Sequence, residues 1–376
     1  MTRKVKGMAL LAALSTVTAC GGGGGGPDPA DLQALKAELG GRIFADTNLS
    51  EPAGQACASC HVAQAGFADP DTDSTRPVSE GAVAGRFGNR NAPTVAYASL
   101  TPVFGTIAAG EYVGGQFVDG RAATLEQQAM APFLNPLEMA NPDKSSVIDK
   151  IRAAGYAALF EQVYGAASLD DAEAAFDRVA DALAAFESTP ALSPFTSKFD
   201  YFLAGQAQLT AQERRGFILF DGKGLCFTCH ESPLFTNHAY SNIGVPKNPD
   251  NPFYTMPPEF NPAGTAFVDL GLGLNPTVLS TAENGKFRVP TLRNVALTAP
   301  YMHNGVFQTL DQVVNFYNTR DVLPACPTDS IQQDCWPQPE VAENMDTLST
   351  GNLGLTPSEV SDLVAFLNTL TDGYVP

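Results

Sequence analysis

Apolar residues return at intervals of three and four in a few short stretches, and each predicts a helix with one buried face. Leu32, Leu35, Leu39 and Ile43 mark a helix over 31–44. Phe217, Leu219 and Phe220 mark another over 209–220, where Thr210 is placed to cap. The stretches 145–164 and 169–186 read as two amphipathic helices. Near the end, Thr356-Pro357-Ser358-Glu359 is a capping box with proline at the first helical position, followed by Val360, Leu363, Val364, Phe366 and Leu367. Between these stretches neither periodicity persists, and the pattern predicts a mostly α chain with long ordered loops.

Composition narrows the class. The 376 residues suffice for two domains of roughly 150 residues each. A hydrophobic share of 44% excludes disorder and a polytopic membrane protein. Charged residues make up only 16% and prolines number 28, which argues against coiled coils. Acidic residues outnumber basic ones 40 to 22, a net charge of −18 that excludes nucleic acid as a partner and favours a basic or neutral one. Three of the basic residues, Arg3, Lys4 and Lys6, precede an apolar run over 8–17 too short to span a bilayer as a helix. That arrangement reads as an export signal, residues 1–19. The small residues before Cys20 look like a bacterial lipobox, which predicts Cys20 as a lipidated first residue; an ordinary secretory signal with an incidental cysteine is the alternative. Six glycines then form a flexible tether through residue 30. The expected location is the periplasm, anchored by lipid to the outer membrane, with no other membrane contact.

The remaining six cysteines divide into pairs. Cys57-Ala58-Ser59-Cys60-His61 and Cys226-Phe227-Thr228-Cys229-His230 are two C-x-x-C-H motifs, the signature of covalent c-type haem attachment. In each, two cysteines form thioethers and the histidine is the proximal iron ligand. A zinc or thioredoxin-like site would need partners that His238 and His303, the only other histidines, do not supply. Cys326 and Cys335, nine apart in a proline-rich stretch, are expected to form a disulfide in an oxidising compartment, with a free pair or a metal site as the minor alternative. A helix precedes each haem motif and a linker is expected at 188–194. The chain therefore reads as two cytochrome c-like domains, 31–190 and 191–376.

Further blocks carry a family resemblance: Asn89-Arg90-Asn91-Ala92-Pro93-Thr94, Gln116-Phe117-Val118-Asp119-Gly120-Arg121, Asn135-Pro136-Leu137-Glu138-Met139, and Val289-Pro290-Thr291-Leu292-Arg293-Asn294 through Pro300-Tyr301-Met302-His303-Asn304-Gly305. With the two haem motifs, in this order, they resemble the bacterial dihaem cytochrome c peroxidase and MauG family over about residues 31–372. The resemblance implies a peroxidatic N-terminal haem and an electron-transfer C-terminal haem. It places Gln116 and Glu126 over the distal face of the first haem, Glu126 as the acid–base residue and Gln116 orienting peroxide or water. No histidine lies between His61 and His230 to block that haem, so its iron is expected to be open in the resting state, with Met130 or Met139 as the alternative ligand.

For the second haem the candidate ligands are His238, Met256, Met302, His303, Tyr317 and Met345. The family's sixth ligand, methionine in peroxidases and tyrosine in MauG-like members, follows the histidine of the Pro300–Gly305 block by fourteen residues. That position is Tyr317. A phenolate is a hard anionic ligand that stabilises oxidised iron and lowers its potential. The resemblance also implies a calcium ion held by the Asn91 side chain and the Thr298 and Pro300 carbonyls, with waters. One departure stands out. The family's inter-haem tryptophan would fall at Thr106, and Val118 stands where many relatives have tryptophan, leaving Phe104 or Tyr112 as substitutes. The implied activity is a dihaem oxidoreductase that reacts with hydrogen peroxide and oxidises a small redox protein or a residue of a partner protein. The alternative is a dihaem cytochrome that only transfers electrons.

Overall fold

The computed structural model describes residues 28–376 apart from 109 and 333. The signal segment and Cys20 lie outside the described residues. The N-terminal helices are α1 (Pro29–Phe44), the one-turn α2 (Cys57–Cys60), α3 (Leu125–Leu134), α4 (Lys144–Ala153), α5 (Ala157–Tyr164) and α6 (Ala172–Glu187). The rest are α7 (Lys198–Leu203), α8 (Ala211–Asp221), α9 (Leu310–Thr319) and α10 (Pro357–Asn368). Two small antiparallel ladders join β1 (Gly105–Ala108) to β2 (Glu111–Val113) and β3 (Tyr240–Ser241) to β4 (Phe287–Arg288). The protein is mostly α, with long loops that carry several single turns of 3₁₀ helix.

The caps follow the sequence. Thr210 and Thr356 each accept from the backbone N–H three residues on, and Glu213 and Glu359 return the bond. The expected helix over 145–164 is two helices. Gly155 has the poorest propensity after proline and sits at the break, and the turn lets Ile148 and Ile151 of α4 and Phe160 and Val163 of α5 face one core. The helix expected from 169 begins at Ala172, because Asp171 accepts from the N–H groups of Glu173 and Ala174.

Two apolar cores result. In one, α1 crosses α6, with Leu39, Ile43, Phe133, Phe160 and Phe176 almost fully buried. In the other, α8 crosses α10 around Phe199, Phe220, Phe235 and Phe366. The crossings match in detail. A Cβ built on Gly40 would lie 1.9 Å from the Ala182 carbonyl oxygen, and one on Gly216 would lie 1.9 Å from that of Asp362. A third cluster packs Phe307, Phe316 and Trp336 under α9, with the Trp336 Nε1–H donating to Thr319 Oγ1 at 3.0 Å. Beside it, Cys326 and Cys335 are joined by a disulfide. The cysteine loop thus buttresses α9 from below.

Candidate functional site

Each core borders one cavity, and each cavity holds one C-x-x-C-H motif. In the first, the single turn α2 brings Cys57, Cys60 and His61 to the wall. In the second, a 3₁₀ turn over Cys226–Thr228 does the same for Cys226, Cys229 and His230. The loop after each motif turns back through a phenylalanine of positive φ, Phe67 or Phe235. Their carbonyls meet the histidines: His61 Nδ1 lies 3.1 Å from the Phe67 oxygen and His230 Nδ1 lies 2.9 Å from that of Phe235. A carbonyl can only accept, so the proton sits on Nδ1 and Nε2 keeps its lone pair for a metal. Burial lowers the pKa of both imidazoles and favours that neutral form. The four thiols are unpaired, and burial pushes Cys57, Cys60 and Cys226 up to about 12. Paired neutral thiols beside an imidazole with Nε2 free, in a cavity of largely apolar lining, fit one covalently held haem in each site.

In the first cavity, Gln116 is buried and its Nε2 donates to the Ala98 carbonyl at 3.1 Å. Glu126 is not brought there. The face of α3 that reaches the cavity carries Gln128, Ala129 and Pro132, and the helical phase leaves Glu126 exposed in the first turn. Met139 lines the cavity, whereas Met130 packs against the helical core. Sequence reasoning missed three lining residues: Glu138, Glu187 and His238. Burial raises both carboxyls, Glu187 to about 8, and Glu187 Oε2 has no hydrogen-bond partner among the described residues. No local signal marks them, because only the tertiary fold brings them to the cavity.

In the second cavity, α9 brings Tyr317 to the lining that also includes His230. The Tyr317 hydroxyl makes no hydrogen bond among the described residues, and burial, with the nearby cysteines, pushes its pKa above the usual phenol value. Of the rival ligands, Met302 and His303 share this cavity; His238, Met256 and Met345 do not line it. His303 stacks on Phe287 at 3.8 Å, with Nε2 3.8 Å from Glu340. Asn91, Thr298 and Pro300 also line this cavity. Asn91 Nδ2 donates to the Pro77 carbonyl at 2.9 Å. Asn91 Oδ1 and the Thr298 and Pro300 carbonyls accept no hydrogen bond among the described residues.

Residues 91–94, Val118, Arg288, Pro290 and Thr291 line both cavities and form the wall between them. No aromatic side chain belongs to this shared wall. Thr106 pairs with Tyr112 in the β1–β2 ladder, and Phe104 stacks on Tyr112 at 5.7 Å. None of the three lines either cavity, so the expected substitutes for the missing tryptophan do not stand there.

The family model for di-haem cytochrome c peroxidase matches residues 34–208. Methylamine utilization protein MauG of Paracoccus denitrificans (strain Pd 1222) is 42% identical over 97% of this chain and 95% of its own length. The chain belongs to the dihaem cytochrome c peroxidase and MauG family. The cytochrome c551 peroxidase of Nitrosomonas europaea is 33% identical, over 92% of this chain and 81% of that protein. Among solved structures, the diheme peroxidase BthA from Burkholderia thailandensis E264 superposes with a TM-score of 0.78, at 34% identity over 92% of this chain and 87% of that one. Two c-type haems follow from membership of the family, and the cavities have the residues to hold them.

Proposed function

We propose that the protein is a dihaem peroxidase-type oxidoreductase that draws oxidising equivalents from hydrogen peroxide and uses them on a partner. The observation that carries this reading is the difference between the cavities: His61 with Gln116 in one, His230 with Tyr317 in the other. Thioethers at Cys57 and Cys60, and at Cys226 and Cys229, would hold the groups, and His61 and His230 would ligate the irons. Bound haem supplies the redox chemistry, reaction with peroxide at the first site and storage of oxidising equivalents at both. The chain's own residues bind, orient and move protons. Gln116, held by its bond to the Ala98 carbonyl in the lining of the first cavity, would orient a ligand there. Tyr317 would be the anionic ligand of the second, and its charge would favour the oxidised iron. The MauG-like subtype, with a residue of a partner protein as substrate, is the reading that Tyr317 favours. A small redox donor is the peroxidase variant, and the acidic chain suits a basic one.

Calcium at Asn91 Oδ1 and the Thr298 and Pro300 carbonyls is part of the proposal. Asn91 Oδ1 and the two carbonyls are neutral oxygen donors, and waters would complete the shell. No helix among the described residues is long and apolar enough to cross a membrane. A periplasmic location and a lipid anchor at Cys20 complete the reading, with the domain boundary at 190.

The resting ferric EPR spectrum, before and after stoichiometric peroxide, tests it. High-spin and low-spin signals that both disappear and return slowly support the MauG-like subtype. Loss of the high-spin signal alone, with rapid return on adding a reduced cytochrome, supports the peroxidase subtype. A wholly low-spin spectrum overturns the reading in favour of electron transfer alone.

A further inference from the structure

One stripe of α9 belongs to the second cavity. Leu310, Val313, Val314 and Tyr317, spaced three and four apart, all line it. Phe316 and Thr319 lie outside that stripe, and both meet Trp336, the chain's one tryptophan. The buried indole packs edge-to-face on Phe316 at 5.3 Å and on Phe307 at 5.8 Å. Its Nε1–H donates to Thr319 Oγ1, and that hydroxyl donates to the Asn315 carbonyl at 2.7 Å. Tyr317 packs against the same cluster. Trp336 is itself fixed, because it follows Cys335, whose disulfide to Cys326 closes the loop. The Cys326 N–H donates to the Trp336 carbonyl at 2.8 Å, and the Trp336 N–H donates to that of Pro324 at 3.1 Å. A second loop holds the same end of α9. The Tyr317 carbonyl accepts from the Gly351 N–H at 2.6 Å, and Arg320 donates to the Ile243 carbonyl and to Thr350 Oγ1.

We infer that Trp336, pinned by the Cys326–Cys335 disulfide, is a positioning residue that sets where Tyr317 stands in the second cavity. The inference rests on the reading of Tyr317 as the iron ligand of that site. A ligand atom has to be held to within about 0.5 Å of its working geometry by packing around the element that carries it. The Tyr317 hydroxyl has no hydrogen-bond partner among the described residues, so its placement comes from the backbone of α9 and from the rings behind it. Trp336 is the ring that contacts α9 twice, at Phe316 through packing and at Thr319 through a hydrogen bond. The disulfide restricts the loop before folding, so the indole is presented with little further loss of freedom. A smaller side chain at 336 would leave a void behind Phe316, and α9 would relax towards it.

The test uses the full-length protein carrying two haems, with Trp336→Leu, Trp336→Phe and the pair Cys326→Ala and Cys335→Ala. A stoichiometry of two haems per chain certifies each variant. The imidazole concentration that half-converts the ferric second haem, read from its low-spin EPR signal, is expected to fall at least about tenfold in Trp336→Leu, because a loosened phenolate is displaced more easily. The potential of the second haem is expected to rise, as in Tyr317→Met, while that of the first haem keeps its wild-type value. Trp336→Phe keeps a ring against Phe316 and Phe307 and is expected to restore most of both properties. The cysteine pair is expected to shift both in the direction of Trp336→Leu. Should Trp336→Leu fail to load its haems, Thr319→Val, which deletes only the acceptor of the indole N–H, carries the same expectation. An imidazole affinity within about twofold of wild type and an unchanged potential, even with a lower melting temperature, make Trp336 a structural residue only and overturn the assignment. The same result in the cysteine pair overturns the pinning by the disulfide. A second-haem spectrum and potential that Tyr317→Met leaves unchanged would instead overturn the ligand reading beneath.

Discussion

A phenol in an apolar cavity resists ionisation unless a cation compensates it. Tyr317 is such a phenol, without a hydrogen-bond partner among the described residues, and it shares its cavity with His230. A ferric iron on His230 would supply the missing charge, and the resulting phenolate would hold the iron oxidised. Replacing Tyr317 with methionine exchanges an anionic oxygen for a neutral sulfur, so the reduction potential of the second haem should rise. Spectropotentiometric titration of both haems reads this directly, and a potential that stays put would show that Tyr317 is not the ligand. At this scale the sequence was legible wherever chemistry fixes spacing. The C-x-x-C-H motifs, and the fourteen-residue step that the family resemblance implies, pointed to residues that line the two cavities. It was not legible where placement depends on helical phase or long-range contact. Glu126 is one residue past the inward-facing Leu125, and His238 reaches the first cavity only because its backbone pairs with Gly114.

Each half depends on one helix crossing with no room for a side chain. The Cβ positions at Gly40 and Gly216 fall 1.9 Å from a carbonyl oxygen and 2.8 Å from the Cβ of Phe186 and Phe366 respectively. A backbone carbonyl and a side-chain Cβ cannot yield as a flexible side-chain end could, so the helices must separate. Gly216→Ala should therefore destabilise the C-terminal half by about 1–3 kcal/mol despite alanine's better helix propensity. Gly40→Ala should do the same to the N-terminal half. Thermal melting followed by circular dichroism tests both, and a raised midpoint would show that propensity outweighs the clash. These glycines carry no visible mark in the sequence, where each looks like a weak point in an amphipathic helix. The helices themselves were readable because periodicity and caps coincide, as in Thr356 to Leu367. The single helix over 145–164 failed because both halves share an apolar face and only Gly155 marks the break.

Across the whole molecule, one of the ties between the halves is the largely buried Arg90. Arg90 donates from Nε to Asp269 at 2.7 Å, from Nη2 to the same carboxylate at 2.8 Å, and from Nη1 to Asp119 at 2.6 Å. It also lines the first cavity, whereas Asp269 lines the second, so the pair spans the region between the two sites. Burial alone would raise the Asp269 carboxyl, but the Arg90 charge and hydrogen bonds hold it well below the usual range. A carboxyl whose pKa is lower folded than unfolded stabilises the protein above its unfolded pKa, about 4, and loses that contribution as pH falls towards the folded value. Asp269→Asn should cost about 3 kcal/mol at pH 7, since it leaves part of the Arg90 charge buried and uncompensated. The deficit should narrow as pH drops below about 4, because the wild-type protein then loses its own advantage. Denaturant melts of wild type and variant at pH 7 and at pH 3.5 give the two differences. A deficit that does not change with pH would assign the cost to packing around Asp269 and not to the charge it sets against Arg90.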